Sequence, residues 1–216
     1  MKKITLIIFL IIGITKISFS QYEVRAGMGI DYTSAPLLRD YINQNFAPRN
    51  NQLGNFFSAI EFSEEFGYLI SKHYQISIEL GYLMNSFNYS YNISTYDFSY
   101  KVIKPSILNY YVIQGTGYKF KFGGGAGIRL AYVDQTLPTT TRIYHYHSTG
   151  FGFILRAEGN TLLSDNLYVS LGGDILYDIN GEPKNGNNYI INNANNKRVS
   201  LNSFAAVIRL GLLYLF

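Results

Sequence analysis

Residues 203–216 read Ser203-Phe204-Ala205-Ala206-Val207-Ile208-Arg209-Leu210-Gly211-Leu212-Leu213-Tyr214-Leu215-Phe216. In an extended chain, successive side chains point to opposite faces. Phe204, Ala206, Ile208, Leu210, Leu212, Tyr214 and Phe216 therefore share one face, and Ser203, Ala205, Val207, Arg209 and Gly211 the other. A period of two is the strand signal. The polar face decides which kind of sheet this is. It carries small residues and isolated charges, where the water-facing side of a soluble sheet carries long Lys and Glu side chains.

The pattern recurs upstream. Tyr22, Val24, Ala26, Met28, Ile30 and Tyr32 alternate with Glu23, Arg25, Gly27, Gly29 and Asp31. Similar segments run over 74–84, 119–132 and 167–175, and two less regular ones over 56–68 and 151–158. An eighth, around Lys101 to Ile113, is rich in Ile and Tyr, contains Pro105 and has an ambiguous facing. The polar faces hold Arg25, Lys119, Lys121, Arg129, Arg156 and Arg209 against Glu23, Asp31, Glu61, Glu79, Glu158 and Asp174. Charges of both signs can pair inside a narrow interior, and Gly suits positions where side chains crowd one. The apolar faces end in Tyr or Phe, as girdles at two bilayer interfaces do. Glu64 breaks the rule by falling on an apolar face, which calls for a place near the periplasmic interface, a local bulge or a different register of that strand.

Connections alternate in length. Short ones lie near Ser71-Lys72-His73, Gln114-Gly115-Thr116-Gly117 and Ser164-Asp165-Asn166. Long ones run over about Thr33–Asn55, Asn88–Ser99, Asp134–Ser148 and Asn180–Lys197. Strict alternation of three short and four long connections requires eight strands with both termini at the short-turn end. The expected fold is an all-β, eight-stranded antiparallel up-and-down transmembrane β-barrel, with short periplasmic turns and long outer loops. A soluble sandwich would need a second layer over the Phe and Tyr faces, and the chain has no elements left to supply it. In the first loop, Leu37-Leu38-Arg39-Asp40-Tyr41-Ile42 suits one short helical turn, and the Asn-rich last loop reads as mobile.

Composition agrees. The 216 residues include 20 Tyr, 15 Phe, 20 Gly, no Trp and no Cys, with 15% charged residues. A mean hydropathy of +0.02 excludes a bundle of membrane helices, and the missing Cys excludes disulfide scaffolds and thiol catalysis. Met1-Lys2-Lys3, an apolar run over Ile4–Ile14 and the small residues of Ser18-Phe19-Ser20 form a secretory signal peptide, with cleavage expected after Ser20 and the barrel domain over 21–216. Its apolar core is too short to span the ~30 Å of a bilayer's hydrocarbon. Losing Lys2, Lys3 and Lys16 reduces the 18 basic residues to 15 against 14 acidic ones, a net charge near +1. No basic patch remains for nucleic acid.

Leu210, Leu212, Tyr214 and the terminal Phe216 resemble the assembly signal read by the barrel-assembly machinery. In shape the chain resembles the small OmpA/OmpX-type barrels. Gln21, the run Phe122-Gly123-Gly124-Gly125-Ala126-Gly127 and the phrase Leu163-Ser164-Asp165-Asn166-Leu167 make it similar to the PorT-like outer-membrane barrel family of Bacteroidota. The resemblance implies an outer-membrane location and outer-membrane lipid as surroundings. It transfers no functional residue.

Few residues suggest chemistry. His145 and His147 share a face of an extended segment and are weak metal candidates, needing a third ligand such as Asp134 or Asp178. His73 sits alone in a short turn and should be solvated. No spacing links a nucleophile to a base, and Gly-x-Ser-x-Gly is absent. The interior charges, Glu23, Arg25, Glu61, Glu79, Lys121, Arg129, Arg156, Glu158, Asp174 and Arg209, are expected to form a network that fills the lumen. The expected function is a non-enzymatic barrel without cofactors, whose long loops serve structural or binding roles. A lipid-modifying or proteolytic barrel enzyme and a narrow ion-conducting pore are the alternatives.

Overall fold

The computed structural model describes residues 21–91, 94–138, 140 and 142–216, so the expected signal peptide lies outside the described residues. In chain order the elements are β1 (Tyr22–Ser34), α1 (Pro36–Asn45), β2 (Phe57–Ser71), β3 (Tyr74–Tyr91), β4 (Ser94–Gly115), β5 (Tyr118–Thr136), β6 (Ile143–Ser164) and β7 (Leu167–Ile179). Four two-residue strands follow, β8 (Lys184–Asn185), β9 (Asn188–Tyr189), β10 (Ile191–Asn192) and β11 (Lys197–Arg198), then β12 (Ser203–Leu215). The long strands β1 to β7 and β12 pair antiparallel with their neighbours, and β1–β12 and β5–β6 complete a closed ring of eight.

The register fixes the shape. Partners followed once round the ring run Val24, Phe66, Ile78, Ile107, Ala126, Phe153, Tyr177, Phe204 and then Ser34, ten residues further along β1 than the start. With ~3.3 Å per residue and ~4.8 Å between strands, that stagger tilts the strands by about 40°. The residues on this path point outward, so the path is one tilted course of the outer wall.

The wall is apolar outside. Ile208 is 70% exposed and Ile78 65%, while Arg129, an inward neighbour of Ile128, is 0%. Tyr22, Tyr68, Tyr74, Tyr111, Tyr118 and Tyr214 ring the lower end, where the turns β2–β3, β4–β5 and β6–β7 are two residues each. Tyr32, Phe56, Tyr132, Phe151, Tyr177 and Phe204 ring the upper end, with Tyr32 stacked on Phe56 at 4.9 Å. Ten residues of tilted strand separate Tyr22 from Tyr32, about 25 Å of height, the apolar band of a bilayer-spanning barrel. A belt this size facing water would be a very large exposed apolar patch. A bilayer removes that cost.

Glycines admit the tight packing. A Cβ on Gly125 would stand 2.0 Å from the Ile107 carbonyl oxygen, so β5 can lie against β4 there only without a side chain. Pro105 faces outward, and the β4–β5 ladder skips Lys104 and Pro105, because proline has no N–H to donate. The facing of β4 is resolved: Lys101, Ile103, Ile107, Asn109, Tyr111 and Ile113 point out, and Val102, Lys104, Ser106, Leu108, Tyr110 and Val112 point in.

Four expectations are corrected. Much of Asn88–Ser99 and Asp134–Ser148 is not loop. β3 to β6 continue upward past the girdle, pairing Tyr89 with Tyr96 and Asp134 with His145. The short helical turn is a ten-residue helix, opened by Pro36 at its first turn, where a missing N–H costs nothing. The Asn-rich last loop is folded: Ile190, Val199 and Leu201 are buried, and Asn192 Nδ2 donates to Gln44 (2.9 Å). Glu64 faces outward within a regular ladder between Ala26 and Leu80, well inside the apolar belt, with neither a bulge nor an interfacial position to relieve it.

Candidate functional site

The interior has two storeys. The lower one, at belt height, is charged. Glu23, Asp31, Glu61, Glu65, Glu79, Glu158, Asp174 and Asp178 point into it with Arg25, Lys104, Lys119, Lys121, Arg129, Arg156 and Arg209, all of them buried. The period-two parity of each strand aims them there, and the barrel's narrowness brings them together.

At the lower end Glu23 accepts from Lys119, from Lys121 (2.9 Å) and from Gln75 (2.6 Å). In the middle Arg25 donates to Glu65 (2.8 Å) and Glu79 (2.7 Å), and Arg156 to Glu79 (2.5 Å) and Asp174 (2.7 Å). The Tyr110 hydroxyl donates to Glu65 at 3.1 Å. Higher up, Arg209 joins Asp174 to Glu61, each at 2.5 Å, and Lys104 adds a bond to Glu61 at 2.5 Å. Arg129 closes the column on Asp178 at 2.6 Å. Gly152 leaves the space for that pair, since a Cβ there would lie 2.0 Å from an Asp178 oxygen. Charges buried in this way are tolerable where an opposite charge is met with good geometry. Asp31 is the exception, with Lys104 3.7 Å away and no hydrogen bond to either of its oxygens among the described residues.

All ten interior residues selected from the sequence lie in this column. Glu65, Lys104, Tyr110 and Asp178 are members that the sequence reading does not select. Parity on β2 does place Glu65 with Glu61, whereas Lys104 sat in the strand whose facing was ambiguous.

The upper storey is apolar and aromatic. Leu38, Tyr41 and Ile42 of α1 press onto Phe87, Tyr96 and Phe98, with Ile190, Val199 and Leu201 of the last loop beside them. Phe46 stacks on Tyr96 with ring centroids 3.7 Å apart. Gln135 donates to the Tyr41 hydroxyl and, at 3.3 Å, to that of Tyr96. Burial pushes the Tyr41 hydroxyl up to about 12, against the opposing effect of the Gln135 hydrogen bond. Helix and last loop are tied by Asn45 Nδ2 donating to Asn192 Oδ1 at 2.8 Å. This plug caps the charged column. Beneath it a cavity of about 20 Å³ is lined by Asp31, Lys104 and Asp178 together with Leu38, room for about one water.

The histidines do not converge on a metal site. His145 Nδ1 lies 2.6 Å from an Asp134 oxygen across the β5–β6 ladder, exposed on the outer face. Asp178, the other suggested ligand, faces the lumen and is held by Arg129. Among the described residues no three such side chains could hold an ion. His73 is exposed, yet its Nδ1 sits 3.1 Å from the Val112 carbonyl oxygen and its ring stacks on Tyr111.

The remaining charges divide by height. At and above the upper girdle stand Arg39, Arg49, Lys101, Arg142, Lys184, Lys197 and Arg198 against Asp40, Asp97, Asp134 and Glu182, a surplus of three positive charges. The near-neutral chain therefore carries a basic rim. The terminal strand shows Leu210, Leu212, Tyr214 and Phe216 on its outer face, with the Phe216 N–H bonded to the Tyr22 carbonyl at 3.0 Å.

No family model matches the chain, and no curated protein matches it in sequence. Among solved structures it is similar to Neisserial surface protein A, with a TM-score of 0.50 and 16% identity over 90% of this chain and 97% of that one. It is also similar to Ail, the attachment invasion locus protein of Yersinia pestis, in a complex with the heparin analogue sucrose octasulfate. There the TM-score is 0.53 and the identity 10%, over 91% of this chain and 98% of that one. At such identities the likeness is one of fold. The chain is an all-β, eight-stranded up-and-down barrel of the small outer-membrane type.

Proposed function

We propose that the chain is an integral outer-membrane protein that works by binding at its raised rim, without catalysis, conduction or a cofactor. The observation that carries this is the double closure of the axis: a column of paired charges below and an aromatic plug above. A conducting lumen would need unpaired polar groups and a continuous path. Instead the charged groups face one another, and α1 lies across the mouth. The rim stands on β3 to β6, polar outside and net positive. An anionic glycan or acidic protein surface is the partner that this charge favours. Ail, a fold neighbour, was solved with a polyanionic sugar, which is consistent with such a role for this architecture.

Export through residues 1–20, delivery by the barrel-assembly machinery through Leu210, Leu212, Tyr214 and Phe216, and membership of the PorT-like family belong to the same proposal and rest on the sequence motifs. A hydrolytic barrel is the second reading. The Asp134–His145 pair favours it, although no Ser or Thr hydroxyl is hydrogen-bonded to that histidine among the described residues.

The test pairs two measurements on the mature chain. In SDS the unboiled protein should migrate faster than the boiled one, and in a planar bilayer it should show no steady single-channel conductance. Equal mobilities would remove the membrane reading, and steady conductance would remove the closed lumen.

A further inference from the structure

The barrel wall has a fork at the height of the upper girdle. The β2–β3 ladder stops at Ile60–Met84, while β2 continues beside β1 to Phe57 and β3 continues beside β4 to Tyr91. The two strands part above that rung. A groove of about 550 Å³ opens between them on the outer surface, a volume in the range of small-molecule sites.

Its lining is sorted by height. Ile30, Ile60 and Met84 form the lower part, within the apolar belt, and Ser58, Ser86 and Lys101 the upper part, at the girdle. That is the order in which a membrane lipid presents its acyl chains and its headgroup. Lys101 is the outward-facing cation of the wall: the other Lys and Arg side chains of β1 to β7 and β12 point into the lumen. It forms no ion pair among the described residues, although Glu61 and Asp178 gather the inward Lys104 three residues away. On the other side of Ile30 a second groove, about 530 Å³, is walled by Met28, Tyr32, Ala206, Ile208 and Leu210. Ile30 is thus a ridge between two apolar channels, one of them headed by a positive charge.

We propose that this fork binds a lipid of the outward-facing leaflet with a negatively charged phosphate headgroup. The phosphate sits on Lys101, and acyl chains lie in the channels on either side of Ile30. Ser58 and Ser86 supply hydroxyl donors beside the headgroup. The inference rests on the wall spanning the bilayer and names a ligand that the rim-binding role does not involve.

The test uses the mature chain, refolded in detergent, stripped of lipid and examined by native mass spectrometry. Phosphatidylglycerol and phosphatidylcholine with identical acyl chains serve as probes. The wild type should retain the anionic lipid about fivefold better, the factor that roughly one basic residue contributes at a membrane surface. Lys101→Ala should bring the two lipids level, and Met84→Trp, which fills the groove, should lower retention of both. Equal retention by the wild type, or a preference that survives Lys101→Ala, would overturn the proposal. So would competition by inorganic phosphate at the lipid's own concentration, which would make the site one for free phosphate. Faster migration of unboiled protein, checked for each variant, separates failure of this site from failure of the membrane reading.

Discussion

Below the upper girdle the barrel is apolar outside and carries its charges inside, beside a small apolar cluster around Leu108, Val112 and Ile154; above it the same strands are polar outside and apolar inside. β4 shows both halves. Ile103, Ile107 and Tyr111 point outward in the lower half, while Tyr96, Phe98 and Tyr100 point inward in the upper half. The backbone alternates without a break, so the exchange is made by side-chain choice: the outward parity turns from apolar to polar and, Glu64 apart, charges in the lower half are kept to the inward parity. What changes along the strand is the solvent. Where lipid surrounds the wall, apolar side chains cover it and charges must find one another inside. Where water surrounds it, the ordinary hydrophobic effect gathers Phe and Tyr into a plug.

The two storeys should fail differently. The largest effect is expected for Arg156→Ala, which strips a buried partner from Glu79, Glu65 and Asp174 at once. Leaving buried charges unpaired costs about 3–5 kcal/mol, read as a lower midpoint of urea unfolding in lipid vesicles. An unchanged midpoint would mean that the column contributes little. Next is Phe98→Ala in the plug, a loss of about 3 kcal/mol confined to the upper storey. Protease should then cut the rim loops faster, while the temperature at which the SDS band shifts stays put. A moved band would tie the storeys together.

Smaller, and of opposite sign, is Glu64→Leu. Removing a carboxylate from the belt should raise stability by about 1–2 kcal/mol in a bilayer. In a wall facing water it would not. The last effect is the pH response of the plug, which leaves stability at neutral pH untouched. Folding raises the Tyr41 hydroxyl to about 12, above its ordinary value of about 10. The unfolded chain therefore loses that proton first, and the plug's stability, intact below pH ~10, falls as pH rises toward 12. Protease sensitivity of the rim should increase across that window, and Tyr41→Phe should lessen the response without abolishing it, because burial raises the neighbouring Tyr96 hydroxyl as well.

The lower storey was legible from the sequence because small residues and charges of both signs opposite an apolar face fit a lipid-facing barrel and little else. Residues 203–216 and 22–32 carry that pattern over the full height of the belt. The upper storey was hidden for the same reason. At Phe87, Tyr89, Tyr96 and Phe98 the apolar parity reverses, so segments that continue the strands looked like loops between them. In β4 the reversal, Lys101 and Pro105 fall close together, which left Lys104 without a face and out of the network. Asn content made the last loop look mobile, yet Ile190, Val199 and Leu201 are spaced to reach the plug, a contact that only tertiary structure reveals. The fork at Ile60–Met84 lies in the pairing of two strands that each continue past it, and no composition marks it.

The central claim is the change of surroundings at the girdle, and the absence of native cysteine makes one measurement direct. Single variants Asp97→Cys, Ser99→Cys, Ile103→Cys and Ile107→Cys all place a thiol on the outer face of β4. In reconstituted vesicles a membrane-impermeant maleimide should label the first two and leave the last two unreacted. Labelling of Ile107→Cys as fast as Ser99→Cys would show that water reaches the whole wall, and the barrel would not be a membrane protein.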